Sequence, residues 1–301
     1  MSPTTSIRAF TPSSRRSFAK DSESNKGGSQ TDTSHPSSSI NDRTLRGLLN
    51  KIANESFTLI STQIATIINE CGCDDQTLSV VVRLIYEHGV NDIVFAGLYA
   101  RLCQTLMEQI HWHPEFADGS GRSFRELLLD HCQTQFAILW STCEDTASIS
   151  VDARQASKAH PRLFSDEYYA VQKFKRHRRG LAQFVGELHI RQMVTGELVH
   201  NCVGRFLEGT LPGEQEIESL CILLSVAGQS IEAKDRLRVD AYFERIENIA
   251  VEESVSFRMS SLLKNVIELR QRNWIARGLG IAPALPQERH AVGRQTVLRE
   301  R

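Results

Sequence analysis

Residues 181–209 read LAQFVGELHIRQMVTGELVHNCVGRFLEG, and the fold is decided there. Leu181, Phe184, Val185, Leu188 and Ile190 make an apolar face at helical spacing. Thr195 is placed to accept from the backbone N–H groups of a new first turn. Leu198, Val199, Cys202, Val203, Phe206 and Leu207 then repeat the face. The intervening Met193-Val194-Thr195-Gly196 is too short for the two helices to do anything but fold back on each other. One helical hairpin cannot bury both of its apolar faces alone, so it calls for neighbours of the same kind.

The same signature recurs on either side. Towards the C-terminus, helices are expected over 216–227, ended by Gly228, then 233–251 and 254–274, the last with Phe257, Leu262, Leu263 and Val266 facing inwards. Towards the N-terminus, Asp42, Ser56, Asp74 or Asp75, and Asn91 each stand just before an apolar period and read as caps. The third of these helices is expected to stop at Gly89. Ser123-Phe-Arg-Glu126 is a capping box opening a fifth helix, and Ser165 opens the long sixth, which runs into the organising stretch. That makes ten helices in five antiparallel pairs with no credible strand, an all-α, HEAT-type solenoid.

The ends differ in kind. Residues 1–41 are rich in Ser and Thr without apolar periodicity and read as a disordered tail, while 279–301 read as extended or disordered. Domain boundaries are therefore expected at 42 and 278. With 35 basic against 36 acidic residues the chain has no global pull towards nucleic acid or membrane, so any basic surface must be local. There is no run of about eighteen apolar residues to span a membrane. The seven cysteines are odd in number and dispersed, which suits reduced thiols of a cytosolic protein. Neither Cys71-Gly-Cys73 nor the His-x-His pair at 111–113 has partners at zinc-site spacing, so no metal is expected. No Gly-rich phosphate loop or nucleophile elbow is present; the reading is a non-enzyme without a cofactor.

The local basic surface is the first half of the sixth helix, where Lys173, Lys175, Arg176, Arg178 and Arg179 place five fixed positive charges. Two readings stay open: a salt-dependent contact to RNA phosphates, or a solvated face paired with nearby acids.

Specific residues go further than periodicity. Leu48-Leu-Asn-Lys51 with Phe57, Tyr99-Ala-Arg-Leu-Cys103, and Phe124-Arg-Glu-Leu-Leu-Leu129 with His131-Cys-Gln133 come in order along the chain. So do Phe184-Val-Gly-Glu-Leu188 with Met193-Val-Thr195, His200-Asn-Cys-Val203, Glu218-Ser-Leu-Cys221, and Leu269-Arg270 with Asn273-Trp274. Together these resemble the middle domain of eukaryotic translation initiation factor 4 gamma over roughly residues 42–278. The resemblance implies five HEAT-type hairpins and a translation-initiation scaffold in the cytoplasm. Its implied partners are the DEAD-box RNA helicase of the cap-binding complex, mRNA and the ribosomal preinitiation complex. At signature positions Asn50, Lys51, Leu188, His189, Arg191, Asn273, Trp274 and Arg277 become candidates for helicase docking, although Leu188 also lies on an apolar face.

Three departures follow. His189 stands where the family usually has a large apolar residue, and a partly charged imidazole there is expected to weaken docking or make it pH-dependent. His131 replaces an arginine of the family pattern. No Tyr-x-x-x-x-Leu segment for the cap-binding subunit is seen, so the chain reads as a middle domain almost by itself. The alternative implied is a related solenoid acting as a translational regulator or RNA-processing adaptor without helicase binding.

Overall fold

The computed structural model describes residues 42–110, 122–141 and 166–275. Among these residues the regular structure is ten α-helices. They are α1 (Asp42–Leu49), α2 (Phe57–Glu70), α3 (Asp75–Asn91), α4 (Ala96–Gln109) and α5 (Phe124–Ser141), followed by α6 (Asp166–Ile190), α7 (Gly196–Phe206), α8 (Glu214–Lys234), α9 (Arg236–Val251) and α10 (Phe257–Gln271). The expected tails, the loop histidine pair, Cys143 and Ser165 lie outside the described residues.

The packing is serial. The two helices of each hairpin, α1 with α2, α3 with α4, α5 with α6, α7 with α8 and α9 with α10, are in contact, and the second helices stack as α2 on α4, α4 on α6, α6 on α8 and α8 on α10. This is the HEAT-type solenoid expected from the repeated hairpin signature. Its core is one continuous apolar cluster from Leu45 to Val266. Cys103, Cys132, Cys202 and Cys221 are buried in it as free thiols, and burial pushes their pKa values up, towards the inert neutral form.

Local chemistry explains several of the helix starts. Asp74 accepts from the Thr77 N–H at 2.8 Å, Thr195 from Leu198 at 3.4 Å and Asp235 from Arg238 at 3.1 Å. The capping box is closed in both directions: the Ser123 N–H donates to Glu126 at 2.8 Å, and the Glu126 N–H donates to the Ser123 hydroxyl at 3.3 Å. Ser56 is different. Its hydroxyl donates back to the Lys51 carbonyl at 2.9 Å and caps no helical N–H.

Glycines expected to end helices lie inside them. Gly89 sits within α3, where a methyl group would come within 2.7 Å of the Phe184 ring of α6. On α6, Gly180 rests against the backbone of α3; a Cβ there would stand 1.8 Å from the Val90 carbonyl oxygen. Gly228 lies within α8 because the Trp274 ring occupies the space a side chain would need. Asn91 ends α3 rather than opening α4, so Val94 is exposed before α4 begins at Ala96. Phe257, expected in the core, is the first residue of α10 and 89% exposed.

Candidate functional site

Nine of the predicted candidates fall into three places, and three more, Leu188, His189 and Arg191, meet at the α6–α7 turn, the first two of them in the interior. The first place is the loop after α1, where Asn50 and Lys51 are exposed. The loop is tied down from below by the Tyr99 hydroxyl, which donates to the Leu49 carbonyl at 3.1 Å. Beside it opens a cavity of about 400 Å³ that Asn50 shares with Asn91, Phe95 and Arg176. Sequence reasoning did not single out Phe95. Its signal was the apolar run Ile93-Val94-Phe95, longer than the inner face of α4 requires.

The second place is α6, whose five cations separate. Arg178 is 3% exposed: Nε and Nη2 donate to the Leu139 carbonyl at 3.0 and 2.6 Å, and Nη1 meets Glu216 at 3.3 Å. Its guanidinium also lies over the Phe174 and Trp140 rings, at 4.7 and 5.1 Å from their centroids. Arg179 approaches Glu218 at 3.9 Å. Arg178 therefore holds hairpins together and is removed from the RNA candidates, whereas Arg179 keeps 36% of its side chain exposed. Lys173 and Arg176 stay exposed and Lys175 half-exposed, and none of the three forms an ion pair among the described residues.

The third place is the end of α10. The Trp274 N–H donates to the Leu269 carbonyl and the Asn273 N–H to that of Arg270, a Schellman closure with Asn273 at φ 54°. The Trp274 ring is seated on Gly228 and edge-on to Phe243, and its indole N–H donates to Glu232 at 2.6 Å. Arg270 joins Glu232 and Asp240 and lies over Phe243. Burial alone would raise the Glu232 carboxyl; the bonds from Arg270 and Trp274 outweigh it, and the pKa falls. Trp274 is thus a lid over the last hairpin that keeps one edge in solvent, beside a cavity of about 780 Å³ lined by Asp240, Arg270 and Asn273.

Leu188 and His189 are interior, at 0% and 2% exposure. The His189 ring faces α8, with Nε2 at 3.3 Å from the Ser230 hydroxyl. Burial, then the charge of Lys234, lowers its pKa. The expectation of a partly charged imidazole on the surface is therefore corrected: His189 is a neutral core residue. Both residues shape the turn instead. The Met193 N–H reaches the Leu188 carbonyl and the Gln192 N–H that of His189, both at 2.9 Å, with Gln192 at φ 59°. Arg191 stands half-buried at that turn. Arg277 lies outside the described residues. His131, in place of the family's arginine, packs edge-on to Tyr86 at 4.7 Å. Among the described residues no group of His, Cys, Asp or Glu is placed to hold a metal ion, and no helix is long and apolar enough to cross a membrane.

Comparison with known proteins adds to this geometry. The family model described as the MIF4G domain matches residues 42–273. Eukaryotic translation initiation factor 4 gamma of Schizosaccharomyces pombe is 32% identical over 248 residues, covering 77% of this chain and 17% of that protein. Eukaryotic translation initiation factor 4 gamma 3 of Homo sapiens is 29% identical over 259 residues, covering 82% of this chain and 16% of that one. This chain thus spans about a sixth of the length of these relatives. The MIF4G domain of Trypanosoma cruzi translation initiation factor EIF4G5 superposes with a TM-score of 0.48 at 18% identity, over 77% of this chain and 96% of that one.

Proposed function

The chain belongs to the MIF4G-domain family, and from that premise we propose that it is a translation-initiation scaffold that docks the DEAD-box RNA helicase of the cap-binding complex and contacts RNA. One observation carries the reading. Residues of the initiation-factor signature stand at the outer ends of the hairpin series, the exposed Asn50 and Lys51 after α1 and the exposed Asn273 with the partly buried Trp274 after α10. A two-lobed motor is biased between open and closed forms only by a partner that contacts its states differently. A series of packed second helices supplies the stiff support such contacts need. Arg191 extends the docking set at the α6–α7 turn; Leu188 and His189 act from behind by fixing that turn.

The scaffold contributes no group to ATP hydrolysis, which is the helicase's own chemistry. Lys173, Lys175 and Arg176 give the RNA contact its electrostatic component. Bridging to the ribosomal preinitiation complex in the cytoplasm completes the proposal. The test is the helicase ATPase rate with and without the full chain, together with a pull-down at low and moderate salt. Stimulation and co-purification are expected; no binding at either salt overturns the reading.

The alternative, a regulator or processing adaptor without helicase binding, drew on a partly charged His189 and on the absent cap-binding segment. The inward placement of His189 removes the first of these motives. His189→Phe is expected to leave helicase binding no stronger, whereas a gain would favour the alternative.

A further inference from the structure

We propose that the edge where the α7–α8 loop meets the α9–α10 turn is a docking surface for a basic segment of a partner protein that carries apolar anchors. None of its residues belongs to the helicase-docking or RNA-contact sets, so the inference stands independently of both.

Phe257, the first residue of α10, is 89% exposed, and Val251, the last residue of α9, is 76% exposed. A tight turn keeps them close: the Ser260 hydroxyl of α10 donates to the Ala250 carbonyl of α9 at 2.7 Å. Leu211 joins them from the loop before α8, 42% exposed, while its neighbour Pro212 is buried. That loop is tied to both helices. Arg245 of α9 donates to the Gly209 and Thr210 carbonyls, each at 2.6 Å, and the Ser256 hydroxyl before α10 donates to Glu214 at 3.2 Å. Three apolar side chains from three segments are thus held on one fixed edge.

Local structure asks for none of the three. The start of α10 needs Ser256, whose hydroxyl accepts from the Met259 N–H at 3.5 Å, and places no demand on the residue after it. The end of α9 is closed by the Glu252 N–H on the Ile249 carbonyl at 3.2 Å, a backbone bond indifferent to the side chain at 251. Single exposed apolar residues are ordinary, but a group of them gathered on one edge marks an interaction site, and an aromatic ring is its usual anchor.

Charge decides what the partner is. Residues 207–214 and 251–258 carry four carboxylates, on Glu208, Glu214, Glu252 and Glu253, against one base, Arg258. Arg258 is engaged by Glu218, and Glu208 by Arg205. Glu252 and Glu253 are exposed and form no ion pair among the described residues, and Glu214 has the Ser256 hydroxyl but no cation. An apolar patch with a negative rim repels RNA phosphates and anionic headgroups and attracts Lys and Arg. What fits is a cationic peptide segment that lays two or three apolar side chains on the patch and its charges along the rim.

The position on α10 leaves room for a second partner. That helix is 15 residues long, about 22 Å by the α-helical rise, with Phe257 at its start and Asn273 and Trp274 beyond its end. A basic segment at one end and the helicase at the other can therefore be held at the same time.

The test is fluorescence anisotropy of the full chain with three labelled synthetic peptides of equal length. One is built of Leu, Ala and Lys with its leucines on one helical face, one is the same composition scrambled, and one has Glu in place of Lys. The first is expected to bind at least about tenfold tighter than either of the others. Phe257→Ser should weaken it about tenfold and Leu211→Ser about threefold. Glu252→Lys combined with Glu253→Lys should weaken the basic peptide and admit the acidic one. All these side chains are exposed, so thermal melting of the variants is expected to match the wild type, which separates binding from folding. Equal affinity for the first two peptides, or unchanged affinity in Phe257→Ser, overturns the proposal. If Phe257→Ser abolishes the helicase pull-down, the edge belongs to the helicase; if it converts an oligomer to a monomer in light scattering, the occupant is a second copy of this chain. Either result also overturns the proposal. Loss of helicase binding by the wild-type chain with peptide selectivity intact overturns the scaffold reading alone.

Discussion

Arg176 and Arg178 are two positions apart on α6 and meet opposite surroundings. Arg176 faces solvent on the rim of a cavity, without an ion pair among the described residues. Arg178 is enclosed by two aromatic rings, a backbone carbonyl and Glu216. A helix turns by about 200° over two residues, so neighbouring charges of one sign fall on opposite faces. What decides their roles is the partner opposite: α5 and α8 present acceptors to Arg178, and nothing comparable confronts Arg176. The first half of α6 is thus divided between binding outside and bracing inside, residue by residue.

The contrast is tested most severely at Arg178. Arg178→Ala takes both donors from the Leu139 carbonyl and an ion-pair partner from Glu216, and should cost about 3–5 kcal/mol of stability in chemical denaturation. Arg178→Lys should recover little, because an ammonium cannot fork to both acceptors while lying flat on the rings. Next comes Gly180→Ala, one turn from Arg176, where the added methyl meets the Val90 backbone; about 2–3 kcal/mol should be lost. Arg176→Ala should move stability by no more than about 0.5 kcal/mol and reduce the salt slope of RNA binding by about one. Equal destabilisation by Arg176→Ala and Arg178→Ala would dissolve the comparison.

The smallest effect expected is a pH slope. His177 lies between the two arginines with Nε2 at 3.1 Å from the Tyr86 hydroxyl, and burial lowers its pKa below 6.5. The folded chain then holds fewer protons than the unfolded chain below pH 6.5. Its contribution to stability is therefore intact above that pH and is lost as pH falls towards the folded value. His177→Gln keeps a partner for Tyr86 and removes the titration, so melting temperature measured between pH 7.5 and 5.5 should fall less steeply than in the wild type.

Features written in a few adjacent residues were legible in the sequence. Thr195 and the Ser123–Glu126 box act within one helical turn, and the structure shows both closed as read. The count of hairpins followed from the same local signals. What was not legible depends on contacts far along the chain. Gly89 and Gly228 look like helix ends because glycine usually is one; the reason they are glycine lies at Phe184 and Trp274. His189 reads as a surface switch until α8 brings Ser230 to it, 41 residues on. Arg178 reads as one of five equivalent cations until Leu139 and Glu216 close on it. Phe95 carried a local oddity, an aromatic ring at a capping position, and passed unnoticed as part of an apolar run.

The reciprocal notches between α3 and α6 have a mechanical meaning. Phe184 of α6 sits in the gap left by Gly89, and the Val90 backbone of α3 sits in the gap left by Gly180, one helical turn away. Tenon and mortise are cut in both members, so the joint admits a single longitudinal setting and resists sliding in either direction. Alignment of these two helices is consequently a matter of fit rather than of tether length: inserting or deleting residues between 142 and 165 leaves the joint uncut, whereas one methyl group at 89 or 180 fouls it.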